Sequence, residues 1–211
     1  MSNFNLREHR DRELLKANSS RNVHDEVKHL TVPELQELSL QDRLPFWVMC
    51  LNVLGDLNVG SIIRSSHLFG AEKVVVFGRR RFDSRSLVGA ANYIEVEKVF
   101  GLRDNDSEVI DSEKFQEFCS TNNIHPLFVE QGGVNVFEFD WKGVYNTCLL
   151  SGKKPMLVLG TENSGIPQDI LDLNIPKSVL SIPQKGCIRS HNVAMAFATV
   201  AGQMIGKLNW Y

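Results

Sequence analysis

The sequence predicts an α/β fold with a mainly parallel sheet flanked by helices. Three observations lead there. Short apolar runs recur at 46–51 (FWVMCL), 73–77 (KVVVF), 155–160 (PMLVLG) and 179–182 (VLSI). They show little polar alternation, which suits strands buried on both faces. Helix-spaced segments separate them, and residues 46–77 have the length of a right-handed strand–helix–strand crossover.

Composition narrows the class. At 211 residues, 43% apolar and 23% charged, the chain can bury one sizeable core. A formal net charge of -2 advertises no polyanionic partner, so nucleic-acid binding would have to rest on local basic patches. Cys50, Cys119, Cys148 and Cys187 lie far apart with no C-x-x-C spacing. That argues against a zinc site and suits free thiols in a reducing compartment. The first dozen residues are polar with both charge signs, unlike a secretory or transit signal. No apolar run reaches membrane-spanning length. A cytoplasmic protein with no metal and no membrane partner is expected.

Taken in order, residues 1–45 read as a charged, helix-rich N-terminal extension, and residues 46–211 as the main domain. Val32-Pro33-Glu34-Leu35 has Pro where a first helical turn tolerates it. After the strand at 46–51 comes a polar turn, then a helix whose Val59, Ile62, Ile63, Ser66 and Phe69 share a face and which Gly70 ends. Beyond the strand at 73–77, residues 78–85 (GRRRFDSR) carry Arg79, Arg80, Arg81 and Arg85 against one aspartate, with Phe82 interleaved. This stretch is either a solvated loop or a phosphate-contacting one, since the guanidinium fork matches phosphate oxygens. A strand at 93–99, an acidic surface loop at 101–113, an amphipathic helix at 112–119 and a strand at 125–129 follow. Residues 131–142 read as connecting sequence.

The strand at 155–160 opens into a Gly-bounded loop, Thr161-Glu162-Asn163-Ser164-Gly165-Ile166-Pro167, and a short helix at 168–173. The strand at 179–182 stops at Pro183, which cannot donate to a ladder. A turn at Gly186 then leads to Ser190 or Asn192, either of which can cap the last helix. In that helix Val193, Phe197, Val200, Ala201, Met204 and Ile205 recur at helical spacing. Apolar residues so far round it need cover on more than one side.

Loops 52–64, 160–167 and 183–192 each leave the C-terminal end of a strand, and in a parallel sheet they converge on one edge, where ligands bind. Known phosphate-loop, dinucleotide, nucleophile-elbow and zinc-protease patterns are absent. The residues alone give a ligand site with Arg64 and Glu162 as its charged members. The alternatives are a surface ion pair for Arg64 and a helix N-terminal contact for Glu162.

Three stretches carry a resemblance: D-L-N-V-G-S-I-I-R at 56–64, L-G-T-E-N-S-G-I at 159–166, and I-P-Q-K-G through S-H-N-V at 182–193. In order and spacing they resemble the three motifs of the SpoU/TrmH group of SPOUT RNA methyltransferases, over residues 46–207. His191 stands where the family usually has Leu. The resemblance implies a parallel α/β sheet with a C-terminal deep trefoil knot and a homodimer with its site near the subunit interface. It implies that S-adenosylmethionine is held in a bent form by Leu159, Gly160, Thr161, Ile182, Pro183, Gly186, Ile188 and Ser190. The implied reaction is methyl transfer to a ribose 2′-hydroxyl of tRNA or rRNA, with Arg64, Asn58, Glu162, Ser190 and Asn192 as catalytic residues. The wording I-P-Q-K-G-C-I-R-S leans toward the branch acting on a guanosine of the tRNA D-loop. Two other readings stay open: a non-catalytic RNA-binding module on this fold, and a knotted enzyme that methylates a base.

Overall fold

The computed structural model describes residues 21–78, 87, 89–103 and 106–210. The basic residues Arg79, Arg80, Arg81 and Arg85 lie outside them. Helix α1 (Val32–Gln41) begins at Thr31, whose hydroxyl accepts from the Glu34 N–H while the Glu34 carboxylate accepts from the Thr31 N–H. This reciprocal capping box fixes the helix start. Only Leu35 of α1 is buried, so the helix contributes little core. It is tied to the body through Gln36, which donates to the Asn92 carbonyl, and Ser39, which donates to the Tyr93 carbonyl.

The sheet contains β1 (Leu44–Leu51), β2 (Ala71–Phe77), β3 (Glu95–Val99), β6 (Ile124–Asn135), β7 (Lys154–Leu159) and β8 (Ser178–Ser181). Their order is β3-β2-β1-β7-β6-β8, and every pairing is parallel. Strand β1 starts two residues earlier than expected, and its register shifts between Leu44 and Trp47, around the donor-less Pro45.

Two cores lie on the two faces, as the apolar runs require. Phe46, Val48 and Cys50 of β1 point to one, with α2 (Asp56–Leu68) and α6 (Val193–Leu208) packed there. Trp47, Met49 and Leu51 point to the other, against α3 (Ser112–Thr121) and α5 (Gln168–Leu171). The period-2 alternation of a strand makes that division. Phe77, Phe115 and Phe128 are fully buried in the second core, each contributing roughly 1.5–3 kcal/mol by leaving water.

Two expected connections are structured. Residues 101–113 hold a two-stranded hairpin, β4 (Leu102–Arg103) with β5 (Asp106–Ile110), and the first turn of α3. The acidic composition hid two apolar anchors, Leu102 and Ile110, which pair and sit 3% and 2% exposed in the second core. Residues 131–142 contain the end of β6 and the start of α4 (Trp141–Leu150), capped by Asp140. The Trp141 ring is buried and donates to the Val136 carbonyl, which satisfies its one polar atom.

Candidate functional site

Three loops meet at the C-terminal edge of the sheet, as expected. The loop after β7 is pinched by paired backbone hydrogen bonds between Thr161 and Gly165, both 3.0 Å. Gly165 has φ +67°, and a Cβ there would lie 2.2 Å from the Glu130 Oε2. Only glycine fits both the left-handed backbone and the close approach. The pinch aims Glu162 at the start of α2.

There the Glu162 carboxylate accepts three hydrogen bonds at 2.9 Å: Oε2 from Leu54 N–H, and Oε1 from Gly55 N–H and the Asn58 amide. Gly55, the N-cap of α2, has no side chain to satisfy the first turn. Glu162 supplies that cap from a loop more than a hundred residues away, and its charge faces the positive end of α2. A Cβ on Gly55 would approach Glu162 Oε1 and Asn58 Nδ2 to 2.9 Å, so the glycine makes room for the contact. Asn58 Oδ1 in turn accepts from Asn192 Nδ2 at 3.0 Å. Asn192 Oδ1 caps α6 by accepting from Ala194 and Met195 N–H. One chain of hydrogen bonds therefore locks all three motif loops together.

Burial opposes ionisation of Glu162, but the Asn58 amide and the Leu54 and Gly55 N–H groups outweigh it and hold the carboxyl below its usual 4.5. A depressed folded value stabilises above the unfolded value, and this is lost as pH falls through the folded one. We expect wild type to be more resistant to urea than Glu162→Gln at pH 7, with the gap closing as pH falls below the ordinary carboxylate range and through the lowered value of Glu162. A gap independent of pH would show that the carboxylate charge plays no part.

Beside this chain lies an open cleft of about 320 Å³. Leu159, Gly160, Thr161, Glu162, Ile182 and Ser190 line it, as do Val193 and Ala196 of α6. Pro183, Gly186 and Ile188 instead line an adjoining hollow with Ser190, His191 and Asn192, and Ile188 is 79% exposed. His191 opens onto both hollows, with its side chain exposed.

Sequence reasoning missed a fourth wall from the end of β6. Glu130 accepts from Ile166 N–H at 2.8 Å, and the Gln131 amide donates to the Arg189 carbonyl at 2.6 Å. The Arg189 guanidinium donates to the Asn163 carbonyl, closing a clasp across the cleft. The available signal was the C-terminal end of a further parallel strand, where ligand contacts concentrate.

Arg64 is not brought to this cleft. It lies about two turns beyond Asn58 on α2, exposed, and among the described residues it makes no hydrogen bond or ion pair. It lines a separate cavity of about 560 Å³, on the side of α2 covered by α1 and residues 22–27. Among the described residues, none lines both cavities.

A family model described as the SpoU rRNA methylase family matches residues 45–202. The chain belongs to that family. The matched span holds all three motif loops and the whole six-stranded sheet except the first residue of β1. Solved structures of similar fold include a TrmH/SpoU tRNA modifying enzyme of A. aeolicus, 21% identical with TM-score 0.62, covering 84% of this chain and 82% of that one. The SpoU methyltransferase AviRb of Streptomyces viridochromogenes, in complex with AdoMet, is 22% identical with TM-score 0.58, over 79% of this chain and 62% of that one. An AdoMet-bound rRNA methyltransferase of Sinorhizobium meliloti is 21% identical with TM-score 0.61, over 80% and 60%. The chain thus spans about three fifths of the length of the latter two. No curated protein matches by sequence. Among the described residues no group of His, Cys, Asp and Glu could hold a metal ion, and no helix is long and apolar enough to cross a membrane.

Proposed function

We propose that this SpoU-family chain is a cytoplasmic, S-adenosylmethionine-dependent methyltransferase acting on a ribose 2′-hydroxyl of tRNA or rRNA. The lean is to a guanosine of the tRNA D-loop. The observation that carries it is the Glu162–Asn58–Asn192 hydrogen-bond chain bordering the cleft. It joins three of the five residues that the family resemblance assigns to catalysis, Asn58, Glu162 and Asn192, and it draws them from three separate loops.

The cleft fits the cofactor. Its volume lies within the range of small-molecule sites, roughly 300–1,000 Å³. Leu159, Ile182, Val193 and Ala196 offer apolar surface for an adenine, and Glu130 and Glu162 place carboxylates near a cationic ligand. We assign Leu159, Gly160, Thr161, Ile182 and Ser190 to holding it, with Pro183, Gly186 and Ile188 closing over it from the adjoining hollow. Bound there, the cofactor supplies a methyl group already activated on a sulfonium. The protein must place the hydroxyl in line and help remove its proton. Glu162 holds the Asn58 amide, and Asn58 and Asn192 fix each other, so their remaining hydrogen-bonding capacity meets the ribose in one preset geometry. Arg64 is a permanent cation, better suited to gripping the target phosphate and steadying developing alkoxide charge than to acting as a base. Arg79, Arg80, Arg81 and Arg85 extend the phosphate contacts.

The separation of Arg64 from the cleft supports a homodimer. Helices α2 and α6 pack side by side, and their exposed surfaces carry Leu57 (78% exposed), Leu68 (71%) and Met195 (61%). In our reading a second copy covers this face and brings Arg64 of one subunit to the cleft of the other, completing the site. A trefoil knot fits the same frame: β8 pairs with β6 at the sheet edge, yet α6 returns to pack on α2 and α4.

Incubation with labelled S-adenosylmethionine and total RNA, followed by nucleoside analysis, tests the reaction. A labelled 2′-O-methylnucleoside is expected; label on a base, or on no RNA, would overturn the assignment. Wild type should sediment as a dimer at micromolar concentration, and Met195→Glu as a folded monomer. A folded, active wild-type monomer would refute the shared site.

A further inference from the structure

The cavity beside Arg64 is built by elements outside the family match as well as within it. Its inner wall is α2 with Ala90 and Tyr93, inside the matched span of 45–202. Its outer wall comes from Val23, Val27, Leu35 and Leu38, all N-terminal to that span. Arg43 fixes the floor. Its guanidinium donates to the Ala71 carbonyl (2.9 Å), to Ser39 Oγ (2.6 Å) and to the Tyr93 carbonyl, and lies 3.1 Å from His67 Nδ1. Burial, with the neighbouring Arg43 charge, lowers the pKa of His67, and because a guanidinium can only donate, Nδ1 is the accepting nitrogen of that contact. With Arg43 engaged, Arg64 is, among the described residues of this lining, the arginine left to meet a ligand, and Asp42 is the one carboxylate.

We propose that this cavity receives the unstacked base of the nucleotide being methylated, and that the N-terminal segment thereby selects which nucleotide reacts. The inference rests on the RNA reading above. About 560 Å³ is ample for a nucleoside, within the range of small-molecule sites of roughly 300–1,000 Å³. Sequence-specific RNA recognition splays bases out of the stack onto aromatic side chains. Tyr93, half-buried with its ring 5.9 Å from that of His67, is the aromatic of the lining, and the four aliphatic residues opposite complete an apolar slot. Arg64 at the same slot would hold the phosphate of the nucleotide whose base enters it. The shared family core would then carry the transfer, and the added segment the choice of nucleotide.

The test uses an RNA transcript that full-length wild type methylates, and the same transcript with the target base removed. Tyr93→Ala keeps the main-chain carbonyl that Arg43 needs. It should lower kcat/KM on the intact transcript by roughly 5- to 150-fold, the span that loss of one aromatic–base stack produces. S-adenosylmethionine affinity should hold, and Tyr93→Phe should behave as wild type. Val27→Trp, which fills the slot from the other wall, should cause a similar loss and decides the matter if Tyr93→Ala does not fold. On the abasic transcript Tyr93→Ala should cost nothing further. Wild-type kcat/KM in both variants, or an equal loss on abasic RNA, would overturn the proposal while wild-type methylation left the RNA reading intact. Failure of wild type to methylate any RNA would overturn both.

Discussion

Arg64→Ala is expected to lower methyl transfer at least about a hundredfold while S-adenosylmethionine affinity stays nearly unchanged. Loss of one preorganised donor at developing negative charge costs about 10²–10³ in rate. The structure separates this effect from its usual confounders. Arg64 is exposed and, among the described residues, unpaired, so its removal strands no buried group and should leave the melting temperature close to wild type. It does not line the 320 Å³ cleft of its own subunit, and at the partner's cleft its proposed contact is the target phosphate and not the cofactor, so cofactor titration should not register the change. The conservative Arg64→Lys variant keeps the charge but loses the planar fork, and should recover little. Mixing Arg64→Ala subunits with subunits carrying Asn58→Ala offers a sharper reading. If Arg64 serves the partner's cleft, mixed dimers should regain one working site. Near-normal turnover of Arg64→Ala alone would end its catalytic assignment.

Much of this architecture is legible because burial on both sheet faces leaves a plain mark. The runs at 46–51 and 155–160 are apolar throughout because alternate residues enter separate cores, Val48 and Leu157 on one side, Met49 and Val158 on the other. Asn192 is legible as a helix cap because its chemistry is local, and it accepts from the two N–H groups that such a cap serves. What stays illegible depends on distance in sequence. Glu162 caps α2 rather than the helix that follows it, and nothing near residue 162 announces Leu54 or Gly55 as partners. The β4–β5 hairpin reads as a loop because two buried residues, Leu102 and Ile110, are too few to set a period. The clasp formed by Gln131 and Arg189 joins main-chain carbonyls, which carry no residue identity to read. Motif resemblance places Arg64 with Glu162 in function, yet one subunit keeps them on different cavities.

Ala201→Glu is expected to unfold the protein, because the apolar stripe of the last helix is spent inside one subunit. From sequence, that stripe predicts cover on more than one side: the sheet can take one, and the family resemblance gives the other to a symmetry mate. The structure assigns Phe197, Val200, Ala201 and Met204 to the first: they are 0%, 0%, 0% and 1% exposed within the chain's own core, beside Leu157 and Leu159 of β7. Met195, on a different face, is exposed. A glutamate at 201 would meet close-packed apolar walls on every side, so the larger side chain must displace its neighbours, at typically about 1–3 kcal/mol. Its carboxylate has no cation there, and an unpaired buried charge adds several kcal/mol more. Against a total stability of about 5–15 kcal/mol, the sum removes most or all of the folded population. The expected signature is loss of the cooperative thermal transition, with aggregation, rather than a well-folded monomer. Ala201→Ser, with only one added oxygen, should fold with a melting temperature lowered by several degrees. In the dimer proposed above, Met195→Glu should keep its transition and lose only its partner, so the pair of variants separates core from interface. A folded Ala201→Glu protein melting with wild type would show that this face of α6 is not buried as described.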